Sequence, residues 1–181
     1  MNYNEKTEIM DYDAVQRAIS RISYQIIEQN EGAKDIVLIG IQTKGVALAK
    51  NVAKKIKEME GVDVPLGTLD ITFYRDDLTM LSQHPVIKQS DIPFSVDGKK
   101  IVLVDDVLFT GRTIRAAIEE LFDMGRPARI ELAVLIDRGH RELPIRADYI
   151  GKSVPASKKE YINAEVCENG DILRVSLGIV Q

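Results

Sequence analysis

Cysteine is scarce in this chain: Cys167 is the single cysteine among 181 residues. One cysteine excludes an internal disulfide and any zinc site built from several cysteines. Cys167 also has no obvious partner that would activate it as a nucleophile. We therefore interpret Cys167 as a small residue of a strand.

Long apolar runs are missing as well. The longest ones, 36–41 and 132–136, are far shorter than the roughly 18 residues that a membrane-spanning helix needs. The first residues, MNYNEKTEIM, lack the apolar stretch of a signal peptide. We therefore expect a soluble, cytoplasmic protein with no membrane partner.

The chain has no excess of positive charge. It carries 24 Lys and Arg against 28 Asp and Glu, for a net charge of -4, so the whole molecule is not attracted to nucleic acid. Any polyanion must bind to a local basic patch. A hydrophobic content of 45% over 181 residues fits one compact domain, and we expect 1–181 to form it.

Helical and strand patterns alternate along the chain. Apolar residues at helical spacing predict an amphipathic first helix over 12–28. Continuous apolar runs and turn signals predict helices after the first and third of four buried strands. Those strands are 35–40, 64–73, 99–106 and 129–136, and two short strand-like runs, 160–165 and 172–177, end the chain. The alternation predicts an α/β fold with a parallel, doubly wound sheet flanked by helices.

The segment IVLVDDVLFTGRT, residues 101–113, carries the strongest functional pattern. Ligands of an open α/β sheet bind beyond the carboxyl ends of its strands, where Asp105 and Asp106 lie. Gly111 permits a tight turn before a helix that begins near Thr113, and helix N-termini bind phosphate. A ribose diol can donate hydrogen bonds to both carboxylates, and a divalent cation can be held nearby. The segment therefore predicts a site for ribose 5-phosphate.

Three other interpretations fit part of this segment. P-loop nucleotidases also have a strand that ends in two aspartates, but GxxxxGK[ST] is missing and GIQTKG does not replace it. In receiver domains of two-component signalling the acidic pair follows the first strand, whereas here it follows roughly the third. A structural alternative stays open on these residues alone, in which Thr110 and Thr113 cap a helix and the aspartates are solvated.

VLVDDVLFTGRT closely resembles the 5-phosphoribosyl 1-diphosphate (PRPP) signature of type I phosphoribosyltransferases. GIQTKG resembles the pyrophosphate loop of that family, and ITFYRDDL resembles the entry to its mobile catalytic loop. DRGHRELPIRADYIGK resembles one branch, the bacterial pyrimidine-operon attenuation regulators that are also uracil phosphoribosyltransferases. The resemblance runs from 13 to about 158. It implies the type I phosphoribosyltransferase fold, with a small hood at about 138–181 and a long mobile loop at about 74–95.

The resemblance implies roles for the residues that match the family motifs. Asp105 and Asp106 would bind the ribose hydroxyls, near a magnesium ion that enters with PRPP. Thr43 and Lys44 would bind pyrophosphate through a backbone N–H exposed by a non-proline cis peptide. The other members of the PRPP site would be Val104, Val107, Leu108, Phe109, Thr110, Gly111, Arg112 and Thr113, and the mobile loop would contribute Arg75, Asp76 and Asp77.

The implied reaction joins uracil to the ribose of PRPP and gives UMP and diphosphate. An oxocarbenium-like transition state needs no protein nucleophile, so catalysis rests on orientation and on stabilising the leaving group. Lys44, Arg75 and magnesium are the candidates for stabilising the leaving group. Asp105 and Asp106 complete the catalytic set. Asp137 and Arg138 are assigned to the base and hood.

A second activity is implied, the UMP-dependent binding of pyrimidine-operon leader RNA. Arginine suits phosphates and splayed bases of RNA loops, and a homodimer or higher homo-oligomer would form the surface. The candidates are Arg17, Arg21, Arg138, His140, Arg141, Arg146 and Lys152. Two alternatives stay open: a plain purine or uracil phosphoribosyltransferase without RNA binding, and an RNA-binding regulator whose PRPP site only senses nucleotides. The intact set of Asp105, Asp106, Lys44 and Arg75 argues against the second.

Overall fold

The structure, a computed structural model, describes residues 3–74 and 89–180. Eight strands and three α-helices lie in these two ranges. The strands are β1 (Tyr3–Met10), β2 (Ile36–Ile41), β3 (Leu66–Leu69), β4 (Lys100–Leu108), β5 (Arg129–Asp137), β6 (Tyr149–Ser153), β7 (Glu160–Val166) and β8 (Ile172–Val180). The helices are α1 (Tyr12–Gln29), α2 (Lys44–Glu60) and α3 (Arg112–Met124), and a 3-10 turn spans Thr72–Tyr74.

Five strands form a parallel sheet in the order β3-β2-β4-β5-β6. All six residues of β2 are buried, because helices cover both faces of the sheet. Ile22 of α1 and Leu48 of α2 belong to one apolar cluster, whereas Leu121 of α3 belongs to the other. The predicted α/β class with a parallel, helix-flanked sheet is confirmed.

A second, three-stranded sheet has the order β1-β8-β7 and is antiparallel. Its buried residues Ile162 and Val175 pack into the apolar cluster of α1 and α2. We call this sheet the hood sheet. The two strands predicted at the end of the chain are present, but the sheet also recruits β1 from the other end. The polar sequence YNEKTEIM gives little strand signal, because β1 is held mainly by backbone pairing with β8.

One predicted strand is shorter than its apolar pattern indicates. The pattern over 64–73 predicts a single strand, yet only Leu66–Leu69 pairs with β2. Asp70 then accepts hydrogen bonds from the Thr72 N–H at 3.0 Å and from the Thr72 hydroxyl at 2.5 Å. A local side-chain acceptor of this kind competes with the sheet ladder and favours a turn.

The helices agree closely with their patterns. Helix α1 was predicted over 12–28 and spans Tyr12–Gln29, with the Asp11 carboxylate capping it by accepting the Ala14 N–H at 2.8 Å. Helix α2 ends at Gly61, whose φ of 69° lies in the left-handed region that favours glycine. Within 3–74 and 89–180, no helix combines the length and the apolar character that crossing a membrane requires.

Candidate active site

The acidic pair lies inside β4, because the strand continues to Leu108. Asp105 is only 8% exposed, and its Oδ1 accepts the N–H of Asp106 at 2.9 Å. Burial raises the pKa of Asp105 well above its ordinary value, and the charge of Asp106 raises the pKa further, while the backbone hydrogen bond lowers it. A ligand that donates hydrogen bonds or positive charge to Asp105 would therefore be bound favourably.

The turn from β4 to α3 has the geometry of an anion site. We call residues 108–113 the phosphate loop. Gly111 has φ 92°, and a Cβ there would lie 3.3 Å from Cβ of Ile145, so glycine fits best. Helix α3 begins at Arg112, one residue before the predicted start. The Arg112 N–H donates to the Thr110 hydroxyl at 3.3 Å, and N–H groups at the start of a helix form a site that favours an anion.

The turn from β2 to α2 reaches the same edge of the sheet. The predicted non-proline cis peptide is present, between Gln42 and Thr43. A Cβ on Gly45 would lie 2.5 Å from the carbonyl oxygen of Val104 and 3.3 Å from Oδ1 of Asp105. The start of α2 therefore packs directly against β4. This contact brings Lys44, the first residue of α2, to the edge where Asp105 lies.

The segment 137–145, which we call the hood segment, lies along the phosphate loop. Arg138 N–H donates to the Leu108 carbonyl at 3.1 Å, and Glu142 N–H donates to the Thr110 carbonyl at 2.9 Å. Arg112 Nε also donates to the Glu142 carboxylate at 2.7 Å. These bonds fix the path of the phosphate loop from the outside.

Arg141 is the most highly connected side chain of the hood segment. Its guanidinium donates to the carbonyls of Ile145 at 2.9 Å, Phe109 at 2.8 Å and Gly139 at 3.3 Å. It also forms an ion pair with Asp137 at 2.5 Å. The Arg141 side chain therefore joins both ends of the hood segment to the phosphate loop.

Arg138 and His140 also make contacts within the chain. Arg138 is buried, stacks its guanidinium 4.0 Å above the centre of the Phe109 ring and donates to the Ser157 carbonyl at 2.8 Å. His140 Nε2 lies 2.7 Å from the Ala156 carbonyl oxygen. These two residues and Arg141 thus contact the phosphate loop and the part of the chain that follows β6.

The remaining basic candidates lie elsewhere. Arg17 and Arg21 are exposed on α1, and Arg21 donates to the Gly151 carbonyl of β6. The next residue of β6, Lys152, donates to the Ile9 carbonyl at 2.9 Å. Arg146 is exposed before β6. Arg21 thus lies next to Gly151, the neighbour of Lys152 in β6. The basic candidates of the hood segment lie elsewhere, against the phosphate loop. Their roles in RNA binding stay predictions.

Two notable residues escaped the sequence analysis. Tyr24 of α1 is 59% exposed, and it lies three residues after Arg21, which places both on one side of the helix. The helical pattern could have shown this. Asn163 of β7 accepts a hydrogen bond from Lys44 Nζ at 2.6 Å. No local pattern reveals that contact, because the two residues are 119 positions apart.

Arg75, Asp76 and Asp77 lie outside the described residues, as does most of the predicted mobile loop. The residue before them, Tyr74, is anchored to α3. Its carbonyl accepts from Arg115 at 2.9 Å, and its hydroxyl donates to Asp123 at 2.8 Å. The roles assigned to the three loop residues stay predictions.

The comparisons with known proteins agree with this geometry. A family model described as a phosphoribosyl transferase domain matches residues 5–168. The chain is 57% identical to the "Bifunctional protein PyrR" of Acetivibrio thermocellus, over 98% of this chain and 96% of that protein. It is 62% identical to the protein of the same name in Caldicellulosiruptor bescii, over 89% and 88% of the two chains.

Solved structures share the fold at much lower identity. A hypoxanthine-guanine phosphoribosyltransferase from Bacillus anthracis superposes with a TM-score of 0.70 at 21% identity, over 98% of this chain and 99% of that one. A hypoxanthine phosphoribosyltransferase from Staphylococcus aureus gives a TM-score of 0.69 at 20% identity, over 98% and 93% of the two chains. These two likenesses carry the fold alone.

Proposed function

Because the chain belongs to the phosphoribosyltransferase family, and within it to the bifunctional PyrR proteins, we propose that it has two activities. It transfers the phosphoribosyl group of PRPP to uracil, which gives UMP and diphosphate. It also binds pyrimidine-operon leader RNA in a UMP-dependent manner and so promotes transcription attenuation. The cytoplasm is the proposed location.

One observation carries the transferase proposal: the buried Asp105 lies in the C-terminal half of β4, a few residues before the N-terminus of α3. A carboxylate that accepts hydrogen bonds from a diol and a helix start that accepts a phosphate match the two ends of a ribose 5-phosphate. Gly45 packs closely on Asp105, so the turn before α2, together with Lys44, lies at the same edge of the sheet. A diphosphate on the anomeric carbon would lie toward that turn.

The chemistry needs orientation more than a nucleophile. As the bond from the anomeric carbon to diphosphate breaks, positive charge grows on the ribose and negative charge grows on the leaving group. Asp105 and Asp106 hold the ribose hydroxyls, and the start of α3 holds the 5-phosphate. Lys44 stabilises the charge of the departing diphosphate. Fixed donors and charges of this kind lower the barrier because they need little rearrangement during the reaction.

The acidic pair fits a magnesium ion that enters with PRPP. Burial first, and then the neighbouring charge of Asp106, raise the pKa of Asp105, and a cation beside the pair would favour its charged form. Within 3–74 and 89–180, no group of three or more His, Cys, Asp or Glu residues could hold a metal by itself, so substrate oxygens would complete the coordination. Magnesium, when bound, neutralises part of the diphosphate charge.

The base would lie under the hood segment. Arg138 stacks on Phe109 of the phosphate loop, and Asp137 ends β5 at the same edge of the sheet as Asp105. A pyrimidine joined to C1 of the ribose could meet polar groups of this segment. This placement supports the assignment of Asp137 and Arg138 to the base side of the site.

The base class is tested by assaying PRPP with uracil, hypoxanthine and guanine side by side. We expect UMP formation with uracil to exceed either purine reaction by at least about 100-fold in kcat/KM, because a site with matched polar groups rejects other bases strongly. A preference for a purine would favour the alternative of a plain purine phosphoribosyltransferase.

The exposed face of α1 supports the RNA proposal. Residues 17, 21, 24 and 28 recur at helical spacing on this face, and we call Arg17, Arg21 and Tyr24 the α1 face. Two arginines provide phosphate contacts, and an exposed tyrosine provides a surface on which an unpaired base can stack. With a net charge of -4 on the chain, such a patch has to bind RNA locally.

The RNA proposal is tested by titrating a leader hairpin with and without UMP, at low and at moderate salt. We expect UMP to tighten binding by at least about tenfold. If UMP does not change the affinity for the hairpin, or if no binding occurs at low salt, the alternative of a plain uracil phosphoribosyltransferase is favoured. Sedimentation of the protein alone tests the proposed homodimer or higher homo-oligomer.

A further inference from the structure

The contact between Lys44 and Asn163 joins the start of α2 to the hood sheet at the catalytic edge. Lys44 Nζ donates to Oδ1 of Asn163 at 2.6 Å, in partly buried surroundings. Lys44 is the first residue of α2 and adjoins Gly45, which packs on Asp105. Asn163 belongs to β7 of the hood sheet. A hood-sheet residue thus holds the ammonium group that is assigned to the diphosphate.

A neutral partner is well suited to this task. A lysine side chain is flexible, and fixing it costs up to about 2 kcal/mol of side-chain entropy. An amide oxygen can fix the ammonium through one N–H and leave two N–H donors and the full positive charge for a ligand. A carboxylate would compensate that charge. Among the described residues, Lys44 forms no ion pair.

The backbone around Asn163 makes it a fixed support. Its neighbours Ile162 and Ala164 are 3% and 1% exposed and belong to the apolar cluster shared with α1 and α2. Because side chains alternate along a strand, burial of these two residues directs Asn163 to the opposite face. Asn163 also pairs with Ser176 of β8. Rotation of β7 would disrupt the core, so the amide is held in place.

We propose that Asn163 is a positioning residue for the diphosphate end of PRPP. Its Oδ1 holds Lys44 so that the remaining ammonium donors face the diphosphate oxygens. This inference rests on the proposed transferase activity and assigns it a residue outside the signature motifs. The effect of Asn163 is exerted through Lys44.

The first test replaces Asn163 by leucine, which has a similar volume and no acceptor. We expect N163L to lower kcat/KM for PRPP by about three- to tenfold, the loss of one hydrogen bond to a charged group. The inhibition constant of diphosphate should rise by a similar factor, while the KM for uracil stays unchanged. Glu165→Gln is the matched control, since Glu165 lies on the same face of β7 and pairs with Arg174.

A double-mutant cycle separates positioning from a general structural role. In a Lys44→Met background, N163L should cause no further loss of kcat/KM, because its effect requires the ammonium. Asn163→Asp keeps the side-chain shape but adds a negative charge. We expect N163D to lower kcat/KM and diphosphate affinity more than N163L does, with an unchanged thermal unfolding midpoint.

The outcomes distinguish the two proposals. Equal losses from N163L in the wild-type and Lys44→Met backgrounds would overturn the positioning role, as would wild-type kinetics in both Asn163 variants. If N163L does not fold, Asn163→Ala, which removes the acceptor without adding charge, decides by the same criteria. A wild-type protein that neither makes UMP nor binds diphosphate in calorimetry would instead refute the transferase proposal. If the wild type is active and the Asn163 variants have the same kinetics as the wild type, only the positioning role is refuted.

Discussion

The hood-segment arginines and Arg17 of α1 differ in what surrounds them. Arg141 makes three hydrogen bonds to carbonyls and an ion pair with Asp137, and Arg138 stacks on Phe109. Arg17, in contrast, is exposed on α1. In the sequence, the arginines of the hood segment and of α1 appear in the same way, as local positive charge. The hood-segment arginines hold the phosphate loop in place, whereas the side chain of Arg17 is exposed.

The largest expected effect comes from the catalytic edge itself. Asp105→Asn should lower kcat/KM for UMP formation by at least about 100-fold, because the ribose hydroxyls and the cation lose a charged acceptor. RNA binding in the absence of UMP should not change, since the α1 face is untouched. Steady-state kinetics and a hairpin titration check both points. Near-normal activity would refute the ribose assignment.

Arg141→Ala should affect stability and catalysis together. The sequence predicts a role in RNA binding alone, but the contacts of Arg141 predict that its loss destabilises the fold by about 2–4 kcal/mol and raises the KM for PRPP. Denaturant unfolding and kinetics measure these effects. Arg17→Ala is the control and should leave both unchanged. If Arg141→Ala weakens only RNA binding, the distinction between the two groups of arginines is wrong.

Tyr24→Ala should weaken binding of the leader hairpin by about 1–3 kcal/mol, through the loss of one stacked base. Tyr24→Phe keeps the ring and should bind as the wild type does. Tyr12→Ala is the matched control, because Tyr12 is 47% exposed on the same helix but lies five residues before Arg17 and so on another side. An equal loss from both alanine variants would remove Tyr24 from the interface.

Arg17→Ala should weaken hairpin binding by only a few fold. The slope of the logarithm of the affinity against the logarithm of the salt concentration should become shallower by about one. UMP formation should keep its wild-type kcat and KM. A titration series from low to moderate salt gives the slope. An unchanged slope would indicate that Arg17 contacts no phosphate.

The smallest effect is a dependence of stability on pH. The pKa of Asp105 is raised in the folded protein, so the folded state binds this proton more tightly than the unfolded state does. The charged carboxylate therefore costs stability above the folded pKa, and the cost disappears as the pH falls toward about 4. Asp105→Asn should raise the unfolding midpoint by a few degrees at about pH 8 and less at about pH 4.

Asp35→Asn provides the control for this pH series, because Asp35 is exposed. We expect its unfolding midpoint to follow the wild-type midpoint at every pH. Calorimetric scans of the three proteins over that range provide the comparison. A stabilisation by Asp105→Asn that grows at low pH would contradict the direction of the pKa shift.

The parallel sheet and the phosphate loop could be predicted because their signals are local. Buried strands are continuous apolar runs, and Gly111 marks the turn before α3. Contacts between distant segments could not be predicted in the same way. The Arg141 bonds to Phe109 and the Lys44 bond to Asn163 depend on how loops pack. Strand β1 was missed because its partner lies at the other end of the chain.

That pairing has a consequence for biosynthesis. Tyr3 lies opposite Val180, so β1 cannot join the hood sheet until β8 has been synthesised. The five strands of the parallel sheet are complete by Ser153 and can fold earlier. The contact with Asn163 that holds Lys44 therefore forms after the parallel sheet, because β7 follows Ser153 along the chain.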